Sequence, residues 1–250
     1  MKKTKPYFND HQALYQGRQP PFYDSDKIPG IALLESSFSA IYDELLSNLS
    51  DEKIAAQAFE KWTLHKKKGW RQVELKIYGV EYPRRSRLFP KTMDVINKIE
   101  GASTVYFSLL APGARIEPHV GDTDAFYRVH LGLKIPGALP ECGIEVAGMQ
   151  RPWRPGKCVV FNDIYCHSAW NNTDEERIVL IVDIMRPEFR SCAIHVNSAV
   201  RATLYYSRLY EIFFPLIELM PRLLIRLLHP TFRKLSYLTH ASLSRFARKP

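Results

Sequence analysis

The sequence lacks paired cysteines and long uncharged apolar runs, and both absences narrow the class of protein. Its 4 cysteines form no CxxC pair, and a chain of 250 residues needs no disulfide bonds to fold. We therefore expect free thiols, buried or half-buried, in a reducing compartment. The basic N-terminus lacks the apolar segment of a secretory signal, and no uncharged run approaches the ~20 residues of a membrane span. These features predict a cytoplasmic chain.

Glycine-rich, serine-rich and repetitive stretches are also absent, so no flexible linker or repeat array is expected. The net charge of +9 is uneven, because nine Lys or Arg and only two Glu lie from Arg201 onward. We predict one domain over residues 1–200 and a basic tail over 201–250. A basic tail suggests an anionic partner, which could be a membrane surface, a nucleic acid or another protein. A solvated tail without a partner is the alternative.

Helical patterns lie at the start of the chain. Residues 1–30 suggest an irregular arm that packs through its aromatic side chains. Apolar residues three and four apart predict a helix over Ile31–Leu49, and a second helix is expected from about residue 51 to Leu64. A short helix is expected over Phe89–Ile99.

Strand patterns dominate the middle of the chain. Apolar and polar residues alternate over Gly69–Gly79, which predicts a strand with one face in water. Six further strand segments follow from Ser103 to Pro187, separated by Ala-Pro-Gly, Pro-Gly and Asn-Asn-Thr-Asp turn signals. Many short strands at regular spacing predict an antiparallel sandwich, barrel or jelly roll.

Three histidines and two arginines in this strand block could bind a metal and an anion. His119 follows a proline, Arg128 and His130 share one face of a strand, and His167 lies near a strand end. Arg177 opens the next strand. The turn sequence between His167 and Arg177 suggests a hairpin that would place Arg177 beside the His167 strand.

These residue types suit a non-haem iron site with a dicarboxylate cosubstrate. Two imidazoles from different strands of a jelly roll can meet over a metal, and a buried guanidinium needs an anion. A His-x-Asp pattern normally supplies a carboxylate ligand as well, but Gly121 stands at that position and Asp122 comes one residue later. Each residue alone is more often structural, so the prediction depends on their combination.

The same segment resembles the aspartyl/asparaginyl β-hydroxylase family. The matching features are PHVG, the R-x-H-L-G-L segment, W-x-x-G-K-C-V-V-F-N-D, H-S-A-W around His167, and R-I-V-L-I-V-D-I-M-R-P. The upstream GWRQVELKIYG and FPKT segments are similar too, so the resemblance covers about Gly69–Glu188. It implies a mainly β fold, a double-stranded β-helix (jelly roll, cupin-like), with N-terminal helices and a C-terminal amphipathic helical tail.

The resemblance also implies roles for individual residues. His119 and His167 would be the only protein ligands of Fe(II), which makes Gly121 normal for the family. The cosubstrate 2-oxoglutarate would contact Ser108, Arg128, His130 and Arg177. Substrate would lie near Trp70, Arg71 and Gln72, although Trp70 suits a core position equally well. Asp122 is expected to be a turn residue. The alternative is that it supports the metal-binding residues without binding the metal itself.

One position departs from the family pattern. Phe126 stands where R-x-R-x-H has its first arginine, which the family uses to hold an acidic substrate side chain. The loss of that arginine weakens the prediction of an aspartyl substrate and favours an apolar or amide-bearing one.

The tail has a pattern of its own. Residues 204–234 carry a wide apolar face and a narrow charged stripe, which suits an interfacial helix on anionic lipid. Packing on the barrel or against a second subunit is the alternative. Nucleic-acid binding is not expected, because the basic residues are not interleaved with aromatic platforms for bases.

The combined prediction is an Fe(II), 2-oxoglutarate and O2-dependent dioxygenase that hydroxylates an unactivated C–H bond. The resemblance implies the β-carbon of a peptidyl Asp or Asn as the first substrate class. A lipid acyl chain is the alternative, since some relatives hydroxylate lipid A, and a non-catalytic cupin-like binding module is a further one. The expected partners are a peptide, protein or lipid substrate and a membrane surface that the tail contacts peripherally.

Overall fold

The computed structural model describes residues 5–9, 15–17, 19–51 and 69–204, together with Lys234 and Leu238. The chain divides into two compact units, Tyr7–Pro187 and a second unit made of Met1–Pro6 with Glu188–Pro250. A 3-10 helix over Pro187–Cys192 begins at the last residue of the larger unit and leads into α-helical residues 193–204. The helix predicted to end at Leu64 and the amphipathic helix predicted over 204–234 lie outside the described residues. No helix among the described residues is long and apolar enough to cross a membrane.

Among the described residues of the larger unit, four α-helices precede or interrupt the strands: α1 (Ile31–Ser36), α2 (Phe38–Ser50), α3 (Pro83–Ser86) and α4 (Pro90–Asn97). The structure therefore breaks the predicted helix over Ile31–Leu49 in two at Ser37. The Ser37 N–H still donates to helical carbonyls of α1, and apolar residues on both sides of the break are buried. The chain thus turns without losing the apolar face that the sequence pattern showed.

In the part of the chain that the structure describes, eleven antiparallel strands form two sheets. The strands are β1 (Phe22–Tyr23), β2 (Trp70–Ile77), β3 (Val80–Glu81), β4 (Ala102–Leu110), β5 (Ala114–His119), β6 (Phe126–Lys134), β7 (Cys142–Val146), β8 (Met149–Arg151), β9 (Cys158–Phe161), β10 (His167–Asn171) and β11 (Arg177–Met185). The major sheet has the order β1-β9-β6-β11-β4-β2-β3, and the minor sheet has the order β5-β10-β7-β8. From β4 to β11 the chain passes back and forth between the two sheets, with β7 and β8 together in the minor sheet, as in a jelly roll, so the predicted fold is confirmed.

The major sheet is buried on both faces. In β11, Leu180 and Val182 belong to a core shared with α1, α2 and α4, whereas Val179 and Ile181 belong to a second core shared with the minor sheet. Successive side chains of a strand point to opposite faces, so odd-numbered β11 residues face the barrel interior. The same alternation assigns even-numbered residues of β2, β4 and β6 to that interior.

Two sequence predictions about the strands are wrong. The polar face of β2 is not in water: Gln72 is 6% exposed and Glu74 is 8% exposed, because this face looks into the barrel. The chain between His167 and Arg177 is not a hairpin, since β10 pairs with β5 and β7 while β11 pairs with β4 and β6. That turn instead carries the chain from one sheet to the other across the barrel.

The remaining predictions about local features are mostly confirmed. The N-terminal arm packs through aromatic rings, including Tyr15 on Tyr165 and Phe22 on Phe161. All four cysteines are free. Cys166 differs from the expectation of burial, because it is exposed in the bend that precedes β10.

Candidate functional site

Two histidines meet where β5 ends beside the start of β10. His119 and His167 are register partners, and their ring centroids lie 4.1 Å apart. The strand pairing is irregular at this point, because Ala169 pairs with Ile116 rather than with residue 117. The bulge brings both imidazoles to the same place, as bulges near functional sites commonly do.

Both imidazoles have a defined tautomer. Nδ1 of His119 lies 2.8 Å from the Glu117 carbonyl oxygen, and Nδ1 of His167 lies 2.8 Å from the Tyr165 carbonyl oxygen. A carbonyl oxygen can only accept, so each Nδ1 is placed as the donor, and in the neutral imidazole this leaves the lone pair on Nε2. This arrangement of histidines is the one that metal-binding sites use to orient their ligands.

The two histidines differ in their surroundings. His119 is exposed, whereas His167 is 6% exposed and packs against the Phe161 ring. Burial, and next the nearby His119 ring, lower the pKa of His167 to about 3. His167 is therefore neutral at pH 7, in the form that can coordinate a metal ion.

Gly121 has no space for a side chain. A Cβ at this position would lie 2.4 Å from Oδ2 of Asp163, and the Gly121 N–H donates to the Asp163 carbonyl oxygen at 2.8 Å. The carboxyl group of Asp163 thus fills the volume that a ligand side chain at position 121 would need. Across the described part of the chain, no three His, Cys, Asp or Glu side chains converge as a metal site.

Asp163 belongs to a buried group of three charges. Arg128 makes a bidentate pair with Asp183, with both N–O distances 2.8 Å, and its Nη1 lies 2.7 Å from Asp163 Oδ2. One guanidinium balances only one carboxylate. Burial and the neighbouring charge of Asp183 therefore raise the pKa of Asp163, although the charge of Arg128 lowers it. Burial opposes the charge on Arg128, but the two carboxylates outweigh it and raise the pKa of Arg128 well above its ordinary value.

Arg177 lies deeper in the barrel and is only 1% exposed. Its Nη1 donates to the Ser108 carbonyl oxygen at 3.2 Å and lies 3.4 Å from Ser108 Oγ. Its guanidinium lies over the Trp153 ring at 4.9 Å. Burial lowers the pKa of Arg177 to about 10, and its Nε has no hydrogen-bond partner among the described residues.

Three polar atoms around Arg177 are buried without a partner among the described residues: Nε of Arg177, Nδ1 of His130 and Nε1 of Trp153. The His130 ring stacks on Trp153 with centroids 6.0 Å apart. Burial, and next the charge of Arg177, lower the pKa of His130 well below its ordinary value. A buried polar atom without a partner costs free energy, and three of the eight such atoms among the described residues belong to side chains in contact through Trp153.

This cluster fits a bound dicarboxylate. A carboxylate beside Arg177 would neutralise a buried charge and accept from donors that are otherwise orphaned. Ser108 adds a hydroxyl group, which accepts from Trp70 Nε1 at 3.0 Å and can donate to a ligand. The two imidazoles likewise fit Fe(II), because their Nε2 atoms carry the lone pairs and their positions are fixed by backbone carbonyls.

The structure brings some predicted residues together and separates others. Ser108, His130, Arg177, Trp70 and Gln72 face the same interior. Arg128 lies near His167 but pairs with two carboxylates, so its predicted contact with cosubstrate would compete with them.

The other predicted residues lie elsewhere. Arg71 points to the opposite face of β2 and pairs with Glu176 on the surface at 2.7 Å. Phe126 is 3% exposed and packs against Tyr78 with ring centroids 5.7 Å apart. Asp122 lies in the loop after His119, where its charge helps to raise the pKa of Asp163.

Sequence reasoning missed Asp163, Asp183 and Trp153. Asp183 sits inside the apolar strand segment LIVDIM, and Asp163 follows the apolar strand segment VVF after one intervening residue, where a buried carboxylate needs a cationic partner. Pairing these two aspartates with Arg128 could have identified this group from the sequence alone. Trp153 carries no comparable signal, because a tryptophan before a Pro-Gly turn is typical of a core position.

We predict that Gly121→Ala weakens metal binding because the added Cβ must displace the Asp163 carboxyl group from its place beside Gly121. We expect a loss on the order of 10-fold in metal affinity, comparable to other changes just behind metal ligands. Isothermal titration calorimetry with Mn(II) measures this affinity. The double variant with Asp163→Ala provides the control, since removing that carboxyl group makes room for the Cβ; unchanged affinity in Gly121→Ala alone would show that the contact is unimportant.

The fold is a jelly-roll barrel. It holds a pair of imidazoles, and a buried arginine among polar atoms without partners. These features define the class of the protein as a jelly-roll barrel with a candidate metal and anion site. The chain belongs to the aspartyl/asparaginyl β-hydroxylase family, whose model matches residues 35–187.

Two named relatives show the range of that family. The ornithine lipid ester-linked acyl 2-hydroxylase of Rhizobium tropici is 32% identical over 191 residues, which are 72% of this chain and 66% of that protein. The aspartyl/asparaginyl β-hydroxylase of Mus musculus is 31% identical over 160 residues, 62% of this chain and 21% of that protein. This chain therefore spans about two thirds of the first relative and about a fifth of the second.

Solved structures resemble the barrel only weakly. A cupin 2 conserved barrel domain protein from Salinispora arenicola is 16% identical, with a TM-score of 0.32, and the match covers 50% of this chain and 82% of that one.

Proposed function

We propose that this chain is an Fe(II) and 2-oxoglutarate-dependent hydroxylase. In the reaction, O2 and 2-oxoglutarate convert a substrate C–H to C–OH, with one oxygen atom entering the product and the other entering succinate as CO2 leaves. The observation that carries the proposal is the set of orphaned buried polar atoms around Arg177, beneath two histidines of fixed tautomer.

Each residue has a task that follows from its position. His119 and His167 would hold Fe(II) through Nε2, and the bound iron would supply the activation of O2. Arg177 and Ser108 would hold the distal carboxylate of 2-oxoglutarate, because Arg177 is a buried cation that, unlike Arg128, pairs with no carboxylate among the described residues. His130 is held neutral by burial, so it can donate one hydrogen bond without adding a second positive charge.

A lipid acyl chain is the substrate class that we favour. Phe126 is buried against Tyr78, and it stands at the position where an arginine would favour an acidic side chain. The relative from Rhizobium tropici is named for the 2-hydroxylation of an acyl chain. The basic composition of the tail is compatible with a membrane surface as the source of this substrate.

A peptidyl Asp or Asn is the second candidate. The mouse relative is named for that chemistry, and Gln72 offers the barrel interior an amide group that could recognise a polar side chain.

The test is succinate formation from 2-oxoglutarate by anaerobically prepared protein with Fe(II) and then O2. Total membrane lipid and a peptide library containing Asp and Asn are added in separate reactions, and His167→Ala serves as the background. Stimulation by lipid alone would support the acyl substrate, and stimulation by peptides alone would move the assignment to Asp or Asn. If no fraction yields succinate and the protein binds no iron, the non-catalytic binding module becomes the better interpretation.

A further inference from the structure

The N-terminal arm before α1 lies outside the stretch 35–187 that the family model matches. From Tyr7 onward the structure describes residues 7–9, 15–17 and 19–30 of this arm. This arm contacts two loops, which we call the ligand loops: residues 120–125, which follow His119, and residues 162–166, which precede His167.

The first half of the arm pairs with the loop that follows His119. Phe8 and Thr123 form an isolated antiparallel bridge, and the Asn9 N–H donates to the Asp122 carbonyl oxygen at 2.8 Å. The Tyr7 N–H donates to Oδ1 of Asp124 at 2.8 Å. Thr123 is only 2% exposed, although it lies in a loop. The backbone of this loop is therefore held by the arm.

The second half of the arm holds the loop that precedes His167. The Asn162 N–H donates to the Pro21 carbonyl oxygen at 2.9 Å, and the Tyr165 hydroxyl donates to the Gln19 carbonyl oxygen at 2.7 Å. Strand β1 of the arm then pairs with β9, which leads into this loop. Both ligand loops thus contact one continuous stretch of chain.

Tyr15 links the two loops directly. Its hydroxyl donates to Oδ2 of Asp124 at 3.1 Å, and its ring packs edge-on against the Tyr165 ring with centroids 5.3 Å apart. The carbonyl oxygen of Tyr165 accepts from Nδ1 of His167. A path of contacts therefore runs from His167 through Tyr165, Tyr15 and Asp124 to the loop of His119.

His119 needs such support more than His167 does. His119 is exposed, as are Glu117, Pro118 and Val120 around it, so packing does not fix this end of β5. His167, in contrast, is buried in a strand paired on both sides. The relative position of the two imidazoles consequently depends on what holds the loop after His119.

We propose that Tyr15 and Asp124 are positioning residues for the metal: the arm ties the two ligand loops together, so that both imidazoles are already placed when the ion binds. This inference rests on the proposed function, because it assumes that His119 and His167 hold a metal. Preorganised ligands bind more tightly, since less conformational freedom is lost on binding.

Four single variants in the full chain separate this role from general stability. Tyr15→Phe removes the hydroxyl but keeps the ring on Tyr165. Asp124→Ala removes both side-chain contacts of Asp124. Asp124→Asn keeps them, because its oxygen can accept from Tyr7 N–H and its amide can donate to the Tyr15 hydroxyl oxygen. Tyr42→Phe is the matched control, a half-buried tyrosine on α2 that stacks on Phe38.

The measurement is titration with Co(II), which reports affinity and, through its visible absorption, the ligand geometry. Melting temperature is recorded for each metal-free variant. We expect Asp124→Ala to lower Co(II) affinity about 10- to 100-fold and Tyr15→Phe about 3- to 10-fold, with altered absorption bands. Asp124→Asn and Tyr42→Phe should match the wild type in both affinity and spectrum.

The outcomes distinguish this inference from the proposed function. If the wild type binds Co(II) and Tyr15→Phe and Asp124→Ala match it in affinity and spectrum, the positioning role is refuted while the metal site stands. Asp124→Asn binding as weakly as Asp124→Ala would also overturn it, since the contacts would then not be the cause. If the wild type binds no Co(II), or binds it equally after loss of His119 and His167, the proposed function itself fails and the positioning role fails with it.

Discussion

Replacing Arg177 by methionine should nearly eliminate 2-oxoglutarate binding while raising the melting temperature of the ligand-free protein. The guanidinium is 1% exposed, and its Nε has no hydrogen-bond partner among the described residues. A buried charge without a carboxylate destabilises the fold, and apolar side chains of similar volume often stabilise such sites by about 1–4 kcal/mol. Loss of a desolvated charge partner should weaken cosubstrate binding on the order of 100-fold or more.

Two further variants make the Arg177 prediction specific. Arg177→Lys keeps a positive charge but loses the planar guanidinium that binds a carboxylate with two hydrogen bonds. Its affinity for 2-oxoglutarate should therefore lie between those of the wild type and Arg177→Met. Arg115→Met changes an exposed arginine of β5 and should leave both the 2-oxoglutarate affinity and the melting temperature near the wild-type values. Calorimetry with 2-oxoglutarate and thermal melting provide the measurements. An Arg177→Met protein that binds 2-oxoglutarate normally would remove this residue from the site.

The second large effect is expected from His119→Ala and His167→Ala, each of which should abolish saturable metal binding and all succinate formation. The two should differ in stability, because His119 is exposed and His167 is buried against Phe161. We expect His119→Ala to melt like the wild type, whereas His167→Ala should lose about 1–3 kcal/mol of unfolding free energy from the cavity and lost packing.

His119→Ala is the sharper of the two histidine variants, since loss of metal binding there cannot be attributed to unfolding. His195→Ala removes an exposed histidine in the helical residues 193–204 and serves as the control. Metal content after anaerobic dialysis and thermal melting should be measured on the same samples. Retention of one metal ion per chain in His119→Ala would contradict the ligand assignment.

The amino-acid sequence predicts the pair of histidines as candidate metal ligands because the chemistry is carried by single residue types at distinctive positions. Two histidines on separate strands, a glycine at the usual carboxylate position and an arginine that opens a strand are all visible in the sequence. The barrel class is equally accessible, because strand periodicity and turn residues depend on local sequence.

Long-range pairing is harder to predict. The turn after His167 looks like a hairpin because hairpins and sheet-to-sheet crossovers use the same turn residues. Whether β11 pairs with β10 or with β4 and β6 is decided by the burial of both faces of β11, which emerges only in the assembled sheets.

The polar face of β2 shows a related difficulty. Alternating polar residues predict a wet face, but a polar ligand chamber produces the same alternation as water does. Gln72 and Glu74 are buried because they line the barrel rather than the surface. Sequence periodicity identifies which residues share a face, whereas the environment of that face follows from the fold.

The most direct test of a joint metal and cosubstrate site is a 2-oxoglutarate titration followed by tryptophan fluorescence, with and without Mn(II). Trp153 lies against the Arg177 guanidinium, and Trp70 donates to Ser108, so a carboxylate at this place should change their emission. Because a ligand that touches both Arg177 and the metal couples the two, Mn(II) should tighten 2-oxoglutarate binding at least about 5-fold. Binding that is absent, or that is the same with and without Mn(II), would contradict the central claim that the two histidines and Arg177 form one site.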